Sequence, residues 1–172
     1  TDKNEALLPC SEIAAAALYR EFPDPYLERT AIQRKITEKF FEYDILLFHG
    51  SVVAVDGLAY MFTAVSGTGK STHTKLWLQV FGDRATILND DKPAIRLEDG
   101  QFYAYGTPWC GKEGWQNNVK APVKALCFLE RAENNTIRRL GADEALMRIF
   151  HQILTPSDIE TVDALFPLLD RT

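Results

Sequence analysis

Apolar residues recur at roughly helical spacing in the first part of the chain. Ser11 is placed to cap a helix over residues 12–21, because its hydroxyl can accept a hydrogen bond from a backbone N–H of the first turn. A second, amphipathic helix is predicted over residues 24–42, with charged residues between its apolar positions. Those apolar positions are Leu27, Ala31, Ile36, Phe40 and Tyr43. Residues 1–43 are therefore expected to form a helical N-terminal segment.

From Asp44 onward the apolar residues fall into short runs, which are typical of β-strands. Hairpins are predicted where two runs are joined by turn residues. The first has strands over 51–55 and 58–63 around Asp56-Gly57, and the second has strands over 95–97 and 102–105 around Glu98-Asp99-Gly100. A further hairpin is predicted from strands over 123–130 and 136–140 around Asn134-Asn135. With strands over 45–48 and 85–88, residues 44–140 form the expected sheet core.

Helical spacing returns further along the chain. A helix over 74–81 ends at Gly82-Asp83, and a helix over 142–153 places Leu146, Ile149, Phe150 and Ile153 on one face. A final helix is predicted from Ser157 to Leu169. The sequence has no internal repeat and no low-complexity linker, so residues 1–172 are interpreted as one domain with C-terminal helices over 141–172.

Composition and charge limit the class of function. The 172 residues are 46% hydrophobic, enough for a sizeable core, and the formal net charge of −5 argues against binding to nucleic acid or to an anionic membrane. Cys10, Cys110 and Cys127 are odd in number and lack metal-ligand spacing, so free thiols in a reducing compartment are expected. No run approaches the length of a membrane span. A cytoplasmic protein is therefore predicted.

The strongest chemical signal is Ser66-Gly67-Thr68-Gly69-Lys70-Ser71-Thr72, which follows a predicted strand and precedes a predicted helix. Glycines allow a tight turn in which backbone N–H groups and the helix N-terminus converge on an anion. Lys70 supplies charge to the terminal phosphates of a nucleotide, and the hydroxyl of Ser71, or of its neighbour Thr72, is a ligand for Mg²⁺. The pattern predicts a phosphate-binding loop (P-loop), although Ala64 stands where the usual motif has its first glycine.

Two adjacent carboxylates follow the predicted strand over 85–88. In phosphate-loop proteins the acid that accompanies Mg²⁺ comes from the tip of a neighbouring buried strand, and Asp90 and Asp91 are in that position. Adjacent residues of a strand point in different directions, so one carboxylate can bind Mg²⁺ while the other contacts an acceptor hydroxyl. We assign Asp91 to the metal and Asp90 to the acceptor. A polar junction between strand and turn is the structural alternative.

Two further residues are candidates for the site. His49 lies between strands that lead to the loop, where an imidazole can contact phosphate, metal or acceptor. Lys112 lies in the irregular stretch 106–118, which is interpreted as a mobile substrate-side loop, and its charge can neutralise a transferred phosphoryl group. A structural histidine and a solvated surface loop are the respective alternatives. His73 and His151 are interpreted as structural.

The order of these motifs resembles the catalytic domain of bacterial HPr kinase/phosphorylases and, more distantly, the nucleotide-binding domain of PEP carboxykinases. Residues 48–55 resemble the His-Gly strand of HPr kinases, 66–72 are similar to the kinase-1 loop of PEP carboxykinases, and 89–91 resemble the paired-Asp kinase-2 motif of both. The resemblance covers residues 48–130. It implies an α/β fold with a mixed, largely antiparallel twisted sheet, a P-loop helix and flanking helices. Thr72 departs from the Glu that HPr kinases tend to have, which leaves the acceptor open.

The residues and the resemblance together predict a Mg²⁺-dependent phosphotransferase that uses ATP and transfers its γ-phosphoryl group to a hydroxyl. The acceptor is either a protein similar to HPr or a small hydroxyl metabolite, in which case the chain is a small-molecule kinase. The alternative of another class is a nucleotide-binding regulatory module without transfer activity. No nucleic-acid or membrane partner is expected, and assembly as a homo-oligomer stays open.

Overall fold

The computed structural model describes residues 24–153 of the chain. These residues belong to two compact units, the first ending at Asp44 and the second beginning at Ile45. The predicted helices over residues 12–21 and 157–169 lie outside the described residues, and so does Cys10.

The first unit contains helix α1, Asp24–Phe40, followed by a 3₁₀ turn, Phe41–Tyr43. The helix predicted over 24–42 is thus confirmed, but its predicted apolar face is wrong. Leu27 and Ala31 are buried whereas Ile36 is exposed. At about 100° per residue, Ile36 falls on the side of the helix opposite Leu27, so the apolar positions do not form a single face.

The second unit is built on a mixed seven-stranded sheet with helices α2 and α3. The strand order is β1-β5-β6-β7-β3-β2-β4, and every neighbouring pair is antiparallel except β3 and β7, which are parallel. The α/β fold with a mixed, largely antiparallel sheet and flanking helices is therefore confirmed. The elements are β1 Ile45–Leu47, β2 Ser51–Val55, β3 Leu58–Thr63, α2 Lys70–Phe81, a 3₁₀ turn Gly82–Arg84, β4 Ala85–Asn89, β5 Ala94–Glu98, β6 Gln101–Tyr105, β7 Lys120–Phe128 and α3 Ala142–Phe150.

The apolar positions of the sheet explain where the core lies. Val53, Val55 and Phe62 are buried on one side of β2 and β3, and the side chains of Trp77 and Phe81 on α2 pack against them. The two Asp-Gly hairpins are confirmed, since β2–β3 and β5–β6 pair directly. In the first, Asp56 has φ 51° and Gly57 has φ 78°, a left-handed pair typical of a tight hairpin turn.

Strand direction brings separate segments of the chain together where the ends of several neighbouring strands meet. Because β2 is antiparallel to both β3 and β4, and β7 is parallel to β3, the C-terminal ends of β3, β4 and β7 lie beside the N-terminal end of β2. We call this the loop edge, formed by residues 48–51, 63–70, 89–92 and 128–131. The opposite ends of β2, β3 and β4, with Asp56-Gly57 and Arg84, form the turn edge.

The hairpin predicted around Asn134-Asn135 is wrong, because residues 136–140 form no strand. Ile137 is 94% exposed, so this short alternating run has no apolar face to bury. β7 takes its partners from elsewhere in the chain, β6 and β3. The pairing is decided by contacts far away in sequence, which local alternation does not report.

Helix boundaries also differ from the prediction. Helix α2 begins at Lys70 rather than at residue 74, directly after Gly69, which is the N-cap with φ 117°. Helix α3 ends at Phe150 rather than at residue 153, because Ile153 instead forms a β-bridge with Phe48. The side chains of Ile149 and Ile153 are buried, in agreement with the predicted apolar face.

Candidate functional site

The glycine-rich loop, residues 64–69, connects β3 to α2 at the loop edge. Gly67 and Gly69 have φ of 81° and 117°, in the left-handed region that side chains with a Cβ rarely adopt. Thr68 closes the turn, with its hydroxyl donating to the carbonyl of Val65 at 2.8 Å. Ser66 and Gly67 are exposed at the tip, and the first residues of α2 follow at once.

Lys70 is the first residue of α2 and is only 9% exposed. Its Nζ donates a hydrogen bond to the carbonyl of Ala64 at 3.0 Å, so the amine is folded back over the loop. Burial lowers the pKa of Lys70, the charge of Asp91 raises it, and Lys92 lowers it further. A charged amine is thus held against a neutral carbonyl in a place where burial disfavours its charge.

Ser71 and Thr72 lie in the first turn of α2, the former half-buried and the latter exposed. The next turn of α2 is hydrogen-bonded to β2, because the hydroxyls of Ser51 and Thr74 are 2.7 Å apart, and both residues are buried. Thr74 also donates to the carbonyl of Lys70 at 3.0 Å. This contact fixes the start of α2 on β2, next to the glycine-rich loop.

Asn89, the last residue of β4, fixes the turn that carries the two aspartates. Its Oδ1 accepts the backbone N–H groups of Asp91 and Lys92 at 2.9 and 2.7 Å. Its Nδ2 donates to the carbonyls of Thr107 and Trp109 at 3.0 and 3.2 Å. Asn89 is fully buried, so this amide ties β4 to residues 106–118 in a place where an unpaired polar group is costly.

Asp90 is 4% exposed and lies beneath Gly111. Its Oδ1 accepts the backbone N–H of Gly111 at 2.6 Å, and its own N–H donates to the carbonyl of Trp115 at 3.1 Å. Its Oδ2 is buried and has no hydrogen-bond partner among residues 24–153. A buried carboxylate oxygen without a donor is rare, because the lost hydration is not replaced.

Asp91 points to a different set of neighbours. Its Oδ1 lies 3.2 Å from Nζ of Lys92 and 3.7 Å from Nε2 of His49, and its side chain is 32% exposed. Its carbonyl accepts the N–H of Gly50 at 3.0 Å, which ties the end of β4 to the start of β2. The two carboxylates therefore face different surroundings, as predicted, although both lie in the turn after β4 rather than on the strand itself.

His49 is held by its backbone and faces the charged groups. Its N–H donates to the carbonyl of Gln152 at 2.7 Å, and its carbonyl accepts the hydroxyl of Thr63 at 2.8 Å. Burial is the main reason that the pKa of His49 falls to about 4; Lys92 and Lys70 lower it further, while Asp91 opposes them. The imidazole is therefore neutral at pH 7.

The loop edge thus brings together His49, Lys70 and Asp91: the charges of Lys70 and Asp91 act on the pKa of His49, and Asp91 acts on that of Lys70. Asp90 lies on the neighbouring side of the β4 tip. Lys112 is exposed on residues 106–118, and it is the neighbouring Glu113 that reaches α2, with Oε2 2.8 Å from Nζ of Lys75. The same Nζ lies 5.0 Å from the ring centre of Trp115. A phosphate contact by Lys112 stays a prediction.

Residues 106–118 are predicted from the sequence to be mobile, but the structure ties them to β4. A Cβ on Gly106 would lie 1.8 Å from the carbonyl oxygen of Asn117 and 2.7 Å from that of Leu88, so only glycine fits. Asn117 donates from its N–H to Leu88 at 2.9 Å and from its Nδ2 to the carbonyl of Ile87 at 2.6 Å. The hydrogen bond from the N–H of Gly111 to Asp90 anchors the middle of this segment, and the contacts of Gly106 and Asn117 anchor its ends.

Residues 27–154 match the family whose description is SynChlorMet cassette protein ScmC. The chain belongs to the ScmC family. The matched range contains every residue of the predicted site, from His49 to Lys112. A comparison with curated proteins finds no match.

Three residues of this ScmC-family chain contact the predicted site but were not predicted from the sequence. Lys92 directly follows Asp90 and Asp91 in the sequence, so its contact with the site could have been predicted from its position. Arg131 donates from Nη2 to the carbonyl of Gly67 at 2.6 Å, and Gln152 accepts the Thr63 hydroxyl at 2.9 Å. Both residues reach the site through contacts that are distant in sequence, Arg131 after β7 and Gln152 after α3. Neither lies in a local motif that would have pointed to the site.

Metal and membrane features are limited within residues 24–153. No group of three or more His, Cys, Asp or Glu side chains there is arranged to hold a metal ion by itself. Cys110 and Cys127 are free thiols, and burial raises the pKa of Cys127. None of the helices in this range has the length and apolar character needed to cross a bilayer.

Proposed function

We propose that residues 45–153 bind ATP with Mg²⁺ and transfer its γ-phosphoryl group to a hydroxyl, on a fold related to that of HPr kinases. The observation that carries the proposal is the buried amine of Lys70 over a loop with two left-handed glycines at the start of a helix. A buried cation held by one neutral carbonyl is stabilised when an anion arrives. Backbone N–H groups of the loop and the N-terminus of α2 favour the same charge.

Mg²⁺ is part of the proposal because a polyphosphate near Asp90 and Asp91 needs a cation between the negative groups. The residues fit: Ser71 offers a hydroxyl in the first turn of α2, and Asp91 offers a partly exposed carboxylate. Mg²⁺ is commonly held in this way, by one or two protein oxygens together with phosphate and water rather than by a complete protein cage. When bound, it neutralises charge on the phosphates.

Asp90 and His49 are assigned to the acceptor. The hydroxyl oxygen forms a bond to the γ-phosphorus, the bond from that phosphorus to the bridging oxygen of ADP breaks, and the hydroxyl proton passes to a carboxylate. Oδ2 of Asp90 has unused capacity for this proton. His49, neutral at pH 7, can accept or donate a hydrogen bond to orient the hydroxyl. The acceptor is an HPr-like protein or a small hydroxyl metabolite.

A nucleotide-binding module without transfer activity is the second candidate, and one observation favours it. Asp90 is 4% exposed and bonded to Gly111, so an acceptor reaches Oδ2 only if residues 106–118 shift. Production of ADP that depends on an acceptor distinguishes the two candidates. A regulatory module would bind ATP with the same loop and release no ADP.

The decisive experiment is calorimetry of ATP with Mg²⁺ on the wild-type chain, Lys70→Ala and Lys124→Ala. Lys124 is exposed on β7, so its variant removes the same charge away from the loop. We expect Lys70→Ala to weaken binding about ten- to a hundred-fold, because it removes a charge-assisted contact worth about 1.5 to 3 kcal/mol. Lys124→Ala should bind like wild type. Equal affinities for all three proteins would refute the nucleotide site.

The roles of the two acids are tested separately, with Asp90→Asn and Asp91→Asn. Asp91→Asn should weaken the dependence of ATP affinity on Mg²⁺, because it removes a metal ligand. Asp90→Asn should keep that dependence and slow ADP formation in the presence of an acceptor. If neither variant changes either quantity, the two acids are only a structural end of β4.

A further inference from the structure

Arg131 lies just beyond β7, on the segment that continues the parallel pairing with β3. The N–H of Leu129 donates to the carbonyl of Thr63 at 2.9 Å, which extends the ladder to the residue immediately before the glycine-rich loop. Arg131 follows two positions later. The parallel register therefore places an arginine next to the loop.

The guanidinium of Arg131 contacts the loop itself. Its Nη2 donates to the carbonyl of Gly67 at 2.6 Å, near the exposed tip. A guanidinium has five N–H donors in a planar fork, so this bond leaves donors that can take an oxyanion at the same time. Arg131 is exposed, which leaves it accessible to a ligand bound in the loop.

The backbone around Arg131 is held in place by its neighbours. Oε1 of Glu130 lies 2.5 Å from Nη1 of Arg148 on α3, and Nη2 of that arginine lies 2.9 Å from Glu144. The backbone bond from Leu129 to Thr63 anchors the segment directly, and the exposed pair of Glu130 with Arg148 adds a weaker contact to α3. A charge that is already positioned loses less entropy on binding.

We propose that Arg131 is a second cationic contact for the phosphate tail of the nucleotide, in addition to Lys70. The inference rests on the proposed function, since it requires a phosphate in the glycine-rich loop. Lys70 approaches from within the loop at the start of α2, whereas Arg131 approaches its tip from β7. The pair would clamp an anionic chain between two cations and favour ligands with several phosphates over those with one.

The test uses Arg131→Ala, Arg131→Gln and the control Arg139→Ala, which removes the same charge from an exposed position of the same connection. Glutamine can still donate a hydrogen bond to the Gly67 carbonyl but carries no charge, so it separates a phosphate contact from a structural role. The probes are ATP, AMP and inorganic tripolyphosphate, each with Mg²⁺, measured by calorimetry at low and moderate salt. Lys70→Ala is measured alongside.

We expect both Arg131 variants to bind ATP and tripolyphosphate about ten-fold more weakly, with AMP much less affected and with a shallower salt dependence than wild type. Arg139→Ala should match wild type. If Arg131→Gln binds like wild type and only Arg131→Ala is weak, the arginine merely holds the loop, and the inference is wrong. If Lys70→Ala weakens binding and neither Arg131 variant does, the inference fails alone. If the wild-type chain binds no polyphosphate, the proposed function fails with it.

Discussion

At the turn edge, Arg84 and Asp56 form an exposed ion pair, in which Nε donates to Oδ1 at 2.9 Å. At the loop edge, Lys70 and Asp90 are buried, and neither has an opposite charge as its hydrogen-bond partner in the described residues. The turn edge thus pairs its charges in water, whereas the loop edge holds Lys70 and Asp90 out of water with no ion-pair partner in hydrogen-bond contact among residues 24–153, although Asp91 and Lys92 pair with each other there. The second arrangement costs folding free energy that a bound anion and cation would recover.

The two edges also differ in how the chain is connected. The turn edge joins β2 to β3 by Asp56-Gly57, both left-handed, and no atom lies within 4 Å of the place that a Cβ on Gly57 would take. The loop edge is joined by long segments that bond to one another, through Asn89, Asp90 and Asn117. Rigid positioning of polar groups is what a site for a charged ligand requires.

The largest effect is expected for Gly106→Ala, which tests the close packing beside the loop edge. A methyl group would lie 1.8 Å from a backbone oxygen, so we expect a loss of about 3 kcal/mol or more in the free energy of unfolding. At the turn edge, Gly57→Ala should cost only the strain of its positive φ, about 1 to 2 kcal/mol. Urea unfolding measures both.

Gly141→Ala is the control for these two substitutions. Gly141 is the N-cap of α3, with φ −70°, and no atom lies within 4 Å of the place that an alanine methyl group would take, so the change should cost only the N-cap preference for glycine over alanine, about 1 kcal/mol or less. If Gly106→Ala is as harmless as Gly141→Ala, residues 106–118 are not packed on β4 as described.

Removing a charge should have a smaller effect on the free energy of unfolding, and this effect should have opposite signs at the two edges. Asp90→Asn, measured without nucleotide or Mg²⁺, should raise the free energy of unfolding by about 1 kcal/mol, because it replaces a buried carboxylate whose Oδ2 has no hydrogen-bond partner in the described residues and keeps the acceptor for Gly111. Arg84→Gln at the turn edge should slightly lower the urea midpoint, because it breaks a satisfied ion pair. A loss of stability in Asp90→Asn would mean that the carboxylate is satisfied in the free protein.

The smallest effect is the pH dependence of the turn-edge pair. The bond from Arg84 is the main cause that lowers the pKa of Asp56 below its ordinary 3.8. The folded state therefore holds Asp56 deprotonated more firmly than the unfolded state, and this stability is present above pH 3.8 and is lost as the pH falls through the lowered pKa. The difference in midpoint between wild type and Arg84→Gln should shrink from pH 6 to pH 3. A difference that stays constant would show that Arg84 acts through its contact with the ring of Phe81 instead.

Local patterns predicted much of this arrangement. The Asp-Gly turns, the apolar runs of β2 and β3 and the position of the glycine-rich loop between a strand and a helix all follow from neighbouring residues, whose conformational preferences act over a few positions. Asp90 and Asp91 also face different surroundings, as predicted, but they lie in the turn after β4 and not on the strand whose alternation was the reason for the prediction.

The features that were not predicted depend on contacts between residues that are far apart in the chain. The false strand over 136–140 has local alternation but no apolar face to bury, as the exposure of Ile137 shows. Arg131 reaches the loop edge because β7 pairs with β3, and Gln152 reaches it because the residues after α3 return to Phe48 and His49, between β1 and β2. The burial of Lys70 and Asp90 likewise comes from tertiary packing, which no window of sequence contains.

The parallel pairing of β3 with β7 also has a consequence for the order of folding. Thr63 pairs with Phe128, so the strand that leads into the glycine-rich loop acquires this neighbour only after most of the sheet has been synthesised. Closing so long a segment is entropically slow, and until then β3 presents an open edge that can pair with other chains. Nascent chains that end before Lys120 should therefore be prone to aggregation, and competence to bind a ligand at the loop edge should appear late in biosynthesis.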